Sequence, residues 1–330
     1  MRIDSSAPTR IDLAGGTYDI WPLYLFHDRA QTINAAISLR AHCTLTSRDD
    51  DGVALVSDDT GERVEADDPA ALEHEPLPLL SRLVHHFGAR GLEVRTRSES
   101  PVGAGIAGSS AMNVALTAAL AAWTNRPLDP DALLTIAMNV EAQVIAVPTG
   151  VQDYRPALYG GVSAIDMDLS GVHRTAIDVD LQELSRRVVL AYTGASRQSG
   201  INNWEVMKRR IDGDTAVIRA FDRIRDAAAG VRAALSRHDW TGVAQCLDAE
   251  WTCRKRLAPG VTTPAIDDLL GRARAAGALA GKICGAGGGG CLFCLVPPDR
   301  HSPVAAALGE AGARVLPFQF EHDGLRLTRQ

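Results

Sequence analysis

A glycine-rich stretch between a predicted strand and a predicted helix is the first feature of this sequence that could do chemistry. Residues 101–111 read Pro-Val-Gly-Ala-Gly-Ile-Ala-Gly-Ser-Ser-Ala. Closely spaced glycines let successive backbone N–H groups converge, and the N-terminus of the helix adds a partial positive charge. Ser109 and Ser110 can cap the helix, and their hydroxyl groups could also reach a phosphate or a phosphate-bound Mg²⁺. We therefore interpret the segment as a phosphate-binding loop rather than as a tight turn alone.

The same loop also matches the Gly-x-Gly-x-x-Gly fingerprint of dinucleotide-binding proteins, at Gly103, Gly105 and Gly108. That fold requires a strand after the helix and an acidic residue about 20 residues further on. Here the segment that begins at Asn125 leads directly into another predicted helix. The context therefore argues against a dehydrogenase.

Two acidic residues and a second glycine run could complete a site. Glu141 lies in a predicted helix, and Asp153 ends a Pro-Thr-Gly-Val-Gln-Asp loop. Phosphoryl transfer to an alcohol needs such a pair, with one carboxylate for Mg²⁺ and one as acid–base partner of the acceptor hydroxyl. Residues 285–290 contain five glycines, whose ordering costs conformational entropy. Close approach of this backbone to a ligand or to the first loop explains that cost.

The hydrophobic pattern predicts the elements that position these residues. Helices are predicted over 77–87, 109–123, from Asp129 or Asp131 to about 145, over 204–231 as one long amphipathic helix, and from Thr263. Strands are predicted twice within 38–57, and over 92–97, 188–192 and 291–296, with a hairpin around Asp323-Gly324. The pattern restarts near residue 185. We therefore expect two α+β domains with mixed sheets, at 1–185 and 186–330.

The composition is that of a globular protein and excludes several classes. The 330 residues carry a net charge of −6, which argues against a nucleic-acid partner because such binding needs a basic surface. The N-terminus lacks the apolar core of a signal peptide. The uncharged stretch 101–125 offers only about 15 helical residues, roughly 22 Å, against the ~30 Å of a bilayer core. We expect no membrane association.

The six cysteines are scattered along the chain. This distribution predicts reduced thiols and hence a cytoplasmic protein. Cys291 and Cys294 are spaced like half a zinc site, but they lie on a predicted strand. Strand residues three apart point to opposite faces, which argues against a metal site there.

Taken together, the motifs resemble those of the GHMP kinases, a superfamily that includes galactokinase, homoserine kinase and mevalonate kinase. Three segments carry the resemblance in the expected order: 7–16 (APTRIDLAGG), 101–111 and 282–291 (KICGAGGGGC). The resemblance implies an N-terminal domain like ribosomal protein S5 domain 2 and a ferredoxin-like C-terminal domain. It also implies ATP with Mg²⁺ between the domains and a small-molecule sugar or sugar phosphate as acceptor. A homodimer is compatible with these expectations.

The resemblance assigns roles residue by residue. Asp153 and Arg10 are the implied catalytic residues, and Ser110 and Glu141 the implied metal ligands. The implied ATP-binding residues are Pro101, Gly103, Gly105, Ile106, Ala107, Gly108, Ser109 and Ser110. The implied substrate-binding residues are Gly16, Thr17, Tyr18, Asp19, Gln152, Tyr159, Ser196, Arg197, Gly285, Gly287 and Gly288.

Within the superfamily, the sequence is most similar to the D-glycero-D-manno-heptose 7-phosphate kinases. The similar segments are Gly15-Gly-Thr-Tyr-Asp19, Gln152-Asp153, Tyr192-Thr-Gly-Ala-Ser-Arg197 and Trp251-Thr-Cys-Arg-Lys-Arg-Leu-Ala-Pro-Gly-Val261. Tyr18, in place of Thr, and the large Trp21 depart from that pattern where the sugar should lie. The implied activity is ATP-dependent phosphorylation of a sugar or of this sugar phosphate, with the anomeric hydroxyl as one candidate. A kinase of an unphosphorylated sugar and a non-catalytic sugar sensor remain alternatives.

Overall fold

The computed structural model describes residues 1–72, 76–196 and 199–330, and for residues 199–202 it describes the backbone alone. Strands and helices mix along the whole chain. The strands are β1 (Arg2–Ala14), β2 (Ala30–Ser47), β3 (Val53–Ser57), β4 (Glu62–Ala66), β5 (Leu92–Ser98), β6 (Val162–Asp168), β7 (Gly171–Ala176), β8 (Val188–Tyr192), β9 (Ala280–Ile283), β10 (Cys291–Leu295), β11 (Arg314–Val315) and β12 (Arg326–Arg329). The α-helices are α1 (Pro78–Phe87), α2 (Gly108–Trp123), α3 (Pro130–Ile145), α4 (Tyr154–Tyr159), α5 (Leu181–Arg187), α6 (Ser199–Ile211), α7 (Thr215–Leu235), α8 (Trp240–Arg254), α9 (Pro264–Ala275) and α10 (His301–Glu310).

The first sheet holds the first motif near its middle. Its strand order is β12-β1-β2-β5-β3-β4, and β6 and β7 continue from β2. The 18-residue strand β2 pairs with β1 along one edge. Along its other edge, residues 30–35 pair with β6 and residues 41–47 pair with β5. The β1–β2 register shifts between Pro8 and Thr9, just before Arg10. Such irregularities often re-aim side chains next to functional sites.

Helix α2 fixes the glycine loop against this sheet. Twelve of its 16 residues are buried, many of them alanines whose small side chains allow close packing. They join apolar residues of β1, β2 and β5 and of helices α1 and α3 in one core. Because the helix is embedded, its N-terminus holds a fixed position at the edge of the domain.

The second sheet has the strand order β11-β8-β10-β9 and is antiparallel throughout. Ile11 of β1 and Ile33 of β2 share a buried cluster with Leu190 of β8 and Val231 of α7. The two sheets are therefore joined by a common apolar core.

Most predicted elements are confirmed. The two strands within 38–57, the strand from Leu92 and the strand from Val188 are present, and α1, α2 and α3 begin within a residue of the predicted positions. Asp129 and Thr263 accept from backbone N–H groups and cap α3 and α9. A second helix, α3, follows α2 without an intervening strand, as the argument against a dinucleotide-binding fold requires.

Two predictions are wrong. The predicted helix over 204–231 is two helices, because Gly213 adopts a φ of +81° and Asp214 caps a new helix. The predicted hairpin around Asp323-Gly324 is absent, since β12 pairs with β1 of the first sheet. The chain therefore returns to the first sheet at its end, while the domain boundary near residue 185 stays a prediction.

Within the described ranges, no helix combines the length and apolar character needed to cross a membrane. Nor does any group of three or more histidine, cysteine or acidic side chains in those ranges form a metal site. Cys291 and Cys294 lie in β10, as predicted.

Candidate active site

The glycine loop ends at an open helix N-terminus. Gly103 and Gly105 have φ values of +67° and +76°, which favour glycine, and a Cβ at Gly103 would collide with Ser196. The residue before α2 is Ala107, whose side chain cannot cap the helix. The prediction that Ser109 or Ser110 caps α2 is therefore wrong. The uncapped N–H groups fit a bound anion instead.

The second glycine run lies directly against this loop. The N–H of Cys291 donates to the carbonyl oxygen of Ala104 at 2.6 Å, and the N–H of Gly290 donates to Ala195 at 2.7 Å. A Cβ at Gly290 would press on the Ala104 carbonyl group. The predicted close approach between the two glycine segments is confirmed.

Arg10 and Asp153 form an ion pair at the centre of the cleft. The Nε and Nη2 groups of Arg10 both donate to Oδ1 of Asp153, the first at 3.0 Å. The Nη1 group donates to the carbonyl oxygen of Gly105 at 3.0 Å, which ties the pair to the glycine loop. Burial opposes the charge of Arg10, but the charges of Asp153 and Asp12 outweigh it and raise the pKa of Arg10. The guanidinium group is therefore permanently charged.

Asp153 stands at the start of α4 without capping it. Its side chain is about a quarter exposed (23%), whereas that of Arg10 is buried. The carboxylate is thus held from behind by the arginine and open in front. A reacting hydroxyl group can approach it from the cleft.

Glu141 is buried beside the N-terminus of α2. Ser110 donates its hydroxyl to Oε2 of Glu141 at 2.9 Å, and the hydroxyl groups of Tyr154 and Ser109 also favour the charged form of this carboxyl group. Burial raises the pKa of Glu141, with a further contribution from the charge of Asp153. A buried carboxylate held by hydroxyl groups next to an anion site would gain from a cation. Carboxylate and hydroxyl oxygens are suitable ligands for Mg²⁺, which in kinases also binds phosphate oxygens of the substrate.

Asp19 lies on the opposite wall, next to Gln152. The N–H of Gln152 donates to Oδ2 of Asp19 at 3.0 Å. Burial, together with the nearby charge of Asp153, raises the pKa of Asp19 to about 6. The buried Oε1 atom of Gln152 has no hydrogen-bond partner among the described residues. An acceptor rich in hydroxyl groups would satisfy both side chains.

The raised pKa of Asp19 predicts a change of stability with pH. Because the folded protein holds this proton more tightly than the unfolded chain, Asp19 lowers the free energy of unfolding as pH rises from about 4 to about 6. We expect the free energy of unfolding of Asp19→Asn, taken relative to that of the wild type, to rise by up to about 3 kcal/mol between pH 4 and pH 7. Urea unfolding across that range measures the difference. A constant difference between the two proteins would contradict the shifted pKa.

The structure brings seven of the sequence-predicted site residues to one cleft. Of the predicted site residues, those that line it are Arg10, Thr17, Asp19, Glu141, Gln152, Asp153 and Gly285. Gly287 lies against Val261, while Gly288 faces Gly260. Arg197 lies outside the described residues.

Two predicted substrate contacts do not reach the cleft. Tyr18 is fully buried and donates its hydroxyl to the carbonyl oxygen of Phe221 at 2.6 Å, so its side chain is part of the core. Tyr159 stacks under Arg174 on the surface. The side chain of Tyr18 therefore does not alter the sugar pocket, contrary to expectation. The side chain of Trp21 is 65% exposed and is not among the residues that line the cleft.

Sequence reasoning missed a group of buried charges at the wall of the cleft. They are Asp12, Glu250, Arg254 and Lys282. The available signal was a charged residue inside an apolar strand pattern, as in Ile11-Asp12-Leu13, and the i, i+4 spacing of Glu250 and Arg254. Asp12, however, lies more than 200 residues from Arg254 and Lys282 in the sequence.

Two segments of the chain match a known family. Residues 77–161 match the family described as GHMP kinases N terminal domain, and residues 231–314 match that described as GHMP kinases C terminal. A glycine loop, an arginine–aspartate pair and a buried carboxylate around one cleft agree with these matches. The class of protein that they define is a small-molecule kinase.

Similar proteins extend the match to the whole chain. The chain is 29% identical to D-glycero-α-D-manno-heptose 7-phosphate kinase of Campylobacter jejuni, with 99% of both proteins covered. It is 30% identical to mevalonate kinase of Thermococcus sibiricus, over 72% of this chain and 69% of that one. The solved structure of a D-glycero-D-manno-heptose 1-phosphate kinase from Bacteroides thetaiotaomicron has the same fold, with a TM-score of 0.79, 24% identity and 99% of both chains covered. The chain belongs to the GHMP kinase family, and the predicted fold class is confirmed.

Proposed function

We propose that this kinase transfers the γ-phosphate of ATP to a hydroxyl group of D-glycero-D-manno-heptose 7-phosphate, with the anomeric hydroxyl as the acceptor. The single observation that carries the proposal is the Arg10–Asp153 pair, which opens on the cleft beside the glycine loop. The choice of sugar rests on the 29% identity, over 99% of both chains, to a kinase of that name. A kinase of an unphosphorylated sugar is the second candidate, and a non-catalytic sensor the third.

The reaction follows from the positions of the charged groups. The N–H groups of residues 103–110 bind the β- and γ-phosphates at the N-terminus of α2. Oδ2 of Asp153 accepts the proton of the acceptor hydroxyl, while Arg10 holds Oδ1 and offsets charge near the transferred phosphoryl group. Asp19 and Gln152 bind other hydroxyl groups of the sugar. These interactions orient the acceptor toward the γ-phosphate.

We further propose that Ser110 and Glu141 hold Mg²⁺ together with the phosphate oxygens of ATP. Their hydroxyl and carboxylate oxygens lie 2.9 Å apart at the N-terminus of α2, and the buried carboxyl group gains from a cation. The ion would neutralise charge on the β- and γ-phosphates during transfer.

Ser110→Ala tests this assignment. Removal of the hydroxyl should raise the Mg²⁺ concentration needed for half-maximal activity several-fold and weaken binding of the Mg²⁺ complex of a non-hydrolysable ATP analogue. Affinity for the sugar should stay nearly unchanged, because Ser110 lies on the phosphate side. Calorimetric titrations at several Mg²⁺ concentrations measure both. Identical magnesium titrations of variant and wild type would contradict the assignment.

The phosphate of the acceptor needs a cationic partner of its own. We propose Arg197 and Ser196 for this contact on the sequence resemblance, with Ser196 next to Gly103 of the glycine loop.

The cytoplasm and a homodimer remain our proposals for compartment and assembly. The free thiols of Cys43, Cys246, Cys253, Cys284 and Cys294 support a reducing compartment. Sedimentation analysis tests the dimer.

An acceptor screen tests the proposed function. Release of ADP from ATP is measured with the heptose 7-phosphate, the same heptose without phosphate, galactose and mevalonate. We expect the highest kcat/KM with the heptose 7-phosphate. Preference for the unphosphorylated heptose or galactose would favour the second candidate, and no ADP release with any acceptor would favour the sensor.

A further inference from the structure

Four charged side chains form a cluster at the wall of the cleft, which Arg254 lines, and the proposed reaction does not use them. This buried ion cluster consists of Asp12 of β1, Glu250 and Arg254 of α8, and Lys282 of β9. All four side chains are 0–2% exposed. The cluster therefore joins the first sheet to the second sheet and its covering helix.

The contacts within the cluster are close and shared. Lys282 lies 2.9 Å from Oε1 of Glu250 and 3.3 Å from Oδ2 of Asp12. Nη1 of Arg254 donates to the same two oxygens, at 3.2 Å each. Burial works against the charge of Asp12, but Lys282, Arg254 and Arg10 hold its pKa low, at about 2. Two anions and two cations thus balance each other in the interior.

The cluster binds both backbone polar groups of Gly285, the first residue of the glycine run. The N–H of Gly285 donates to Oδ1 of Asp12 at 3.0 Å, and the carbonyl oxygen of Gly285 accepts from Nη2 of Arg254 at 2.6 Å. Gly285 itself lines the cleft. Gly285 adopts a φ of +67°, which favours glycine. Four of the five residues that follow it are also glycines, so few side chains anchor the run. The cluster therefore fixes the first residue of the run.

Arg254 also contacts the acceptor side of the cleft. Its Nη2 group lies 3.4 Å from Oγ1 of Thr17. Burial opposes the charge of Arg254, but the charges of Asp12 and Glu250, with a smaller contribution from Asp19, raise its pKa. On the other side, Asp12 lies 3.9 Å from Nη1 of Arg10, the partner of Asp153. The cluster thus touches the acceptor wall, the glycine run and the catalytic pair.

Stability alone does not account for such a cluster. Removal of charges from water costs free energy, and well-packed apolar residues often replace a buried ion pair without loss of stability. The planar guanidinium group of arginine, however, donates hydrogen bonds in several fixed directions. It can therefore fix the positions of the oxygens around it, which an apolar side chain or a single ammonium group cannot do. The arrangement therefore fits a role in positioning.

We propose that Arg254 is a positioning residue, aimed by Glu250, that holds Gly285 and the glycine run 285–290 in the orientation required for phosphoryl transfer. Its effect on the reaction passes through the backbone of Gly285. The kinetic part of the test rests on the proposed kinase function. A second readout, hydrogen exchange, does not depend on activity.

Arg254→Lys is the main variant, because it keeps the charge and loses the planar guanidinium group. The matched control is Arg187→Lys, which changes an arginine paired i, i+4 with Glu183 on α5, remote from the cleft. We expect Arg254→Lys to lower kcat about 10- to 100-fold while the Kd of a non-hydrolysable ATP analogue stays within about threefold. The control should keep both values. Glu250→Gln should reproduce the loss of kcat, because Arg254 then loses the carboxylate that orients its guanidinium group.

Hydrogen exchange of a peptide that covers residues 283–292 separates this inference from the proposed function. Arg254→Lys should speed amide exchange there at least tenfold, and Arg187→Lys should leave it unchanged, even if no acceptor supports ADP release. Unchanged exchange in Arg254→Lys would overturn the proposal. So would a kcat within threefold of the wild type, or a loss of activity that matches the unfolded fraction in a thermal melt.

Discussion

Asp153→Asn lowers kcat by a factor on the order of 10²–10⁴ if this carboxylate accepts the proton of the acceptor hydroxyl. The amide keeps the shape of the side chain and can still face Arg10, so the fold should persist. It cannot take up a proton at neutral pH. ATP affinity should change little, since the glycine loop and not Asp153 binds the phosphates. Steady-state kinetics and calorimetry with a non-hydrolysable ATP analogue measure the two effects.

Asp180→Asn is the matched control for this variant. Asp180 also precedes a helix, and it accepts from the N–H groups of Gln182 and Glu183 as the cap of α5, away from the cleft. Because asparagine caps a helix about as well as aspartate, this variant should keep both its stability and its kcat. An Asp153→Asn variant within threefold of wild-type kcat would remove Asp153 from the role of base. A loss well below 10² would indicate that positioning dominates.

Arg10→Lys lowers kcat by roughly 10². Lysine keeps the positive charge, but its single ammonium group cannot hold Oδ1 of Asp153 and the carbonyl oxygen of Gly105 with the three N–H groups that arginine uses. Asp153 then loses its orientation and the glycine loop loses a contact. We therefore expect a moderate rise in the KM for ATP beside the larger fall in kcat.

Arg40→Lys controls for the loss of a buried arginine. Arg40 lies in β2, is 5% exposed and binds Ser6, Gly324 and Glu321 away from the cleft. It should lower the free energy of unfolding and leave kcat per folded molecule unchanged. If Arg10→Lys behaved in the same way, Arg10 would have only a structural role.

The sequence predicts what depends on local chemistry. Asp129 before Pro130 predicts the start of α3, and a run of small residues after paired serines predicts the buried α2, because capping and burial are encoded within a few residues. The resemblance then supplied the candidate site. The cleft brings together Arg10, Glu141 and Asp153 from three separate segments.

Contacts between distant segments could not be read in this way. The break between α6 and α7 depends on Gly213, a single residue in a pattern that otherwise continues. Tyr18 follows Thr17 and precedes Asp19, both in the cleft, yet its side chain turns into the core toward α7. Lys282 and Asp12 meet across 270 residues. Only the packing of the two sheets determines these pairs.

The most direct test of the account is ³¹P NMR of the wild-type enzyme with ATP, Mg²⁺ and D-glycero-D-manno-heptose 7-phosphate. We predict that the γ-phosphate resonance of ATP is replaced by one new sugar-phosphate resonance, coupled to the anomeric proton, in equal amount to the ADP formed. The original 7-phosphate resonance should remain. Inorganic phosphate as the sole new product, or an unchanged ATP spectrum, would contradict the account.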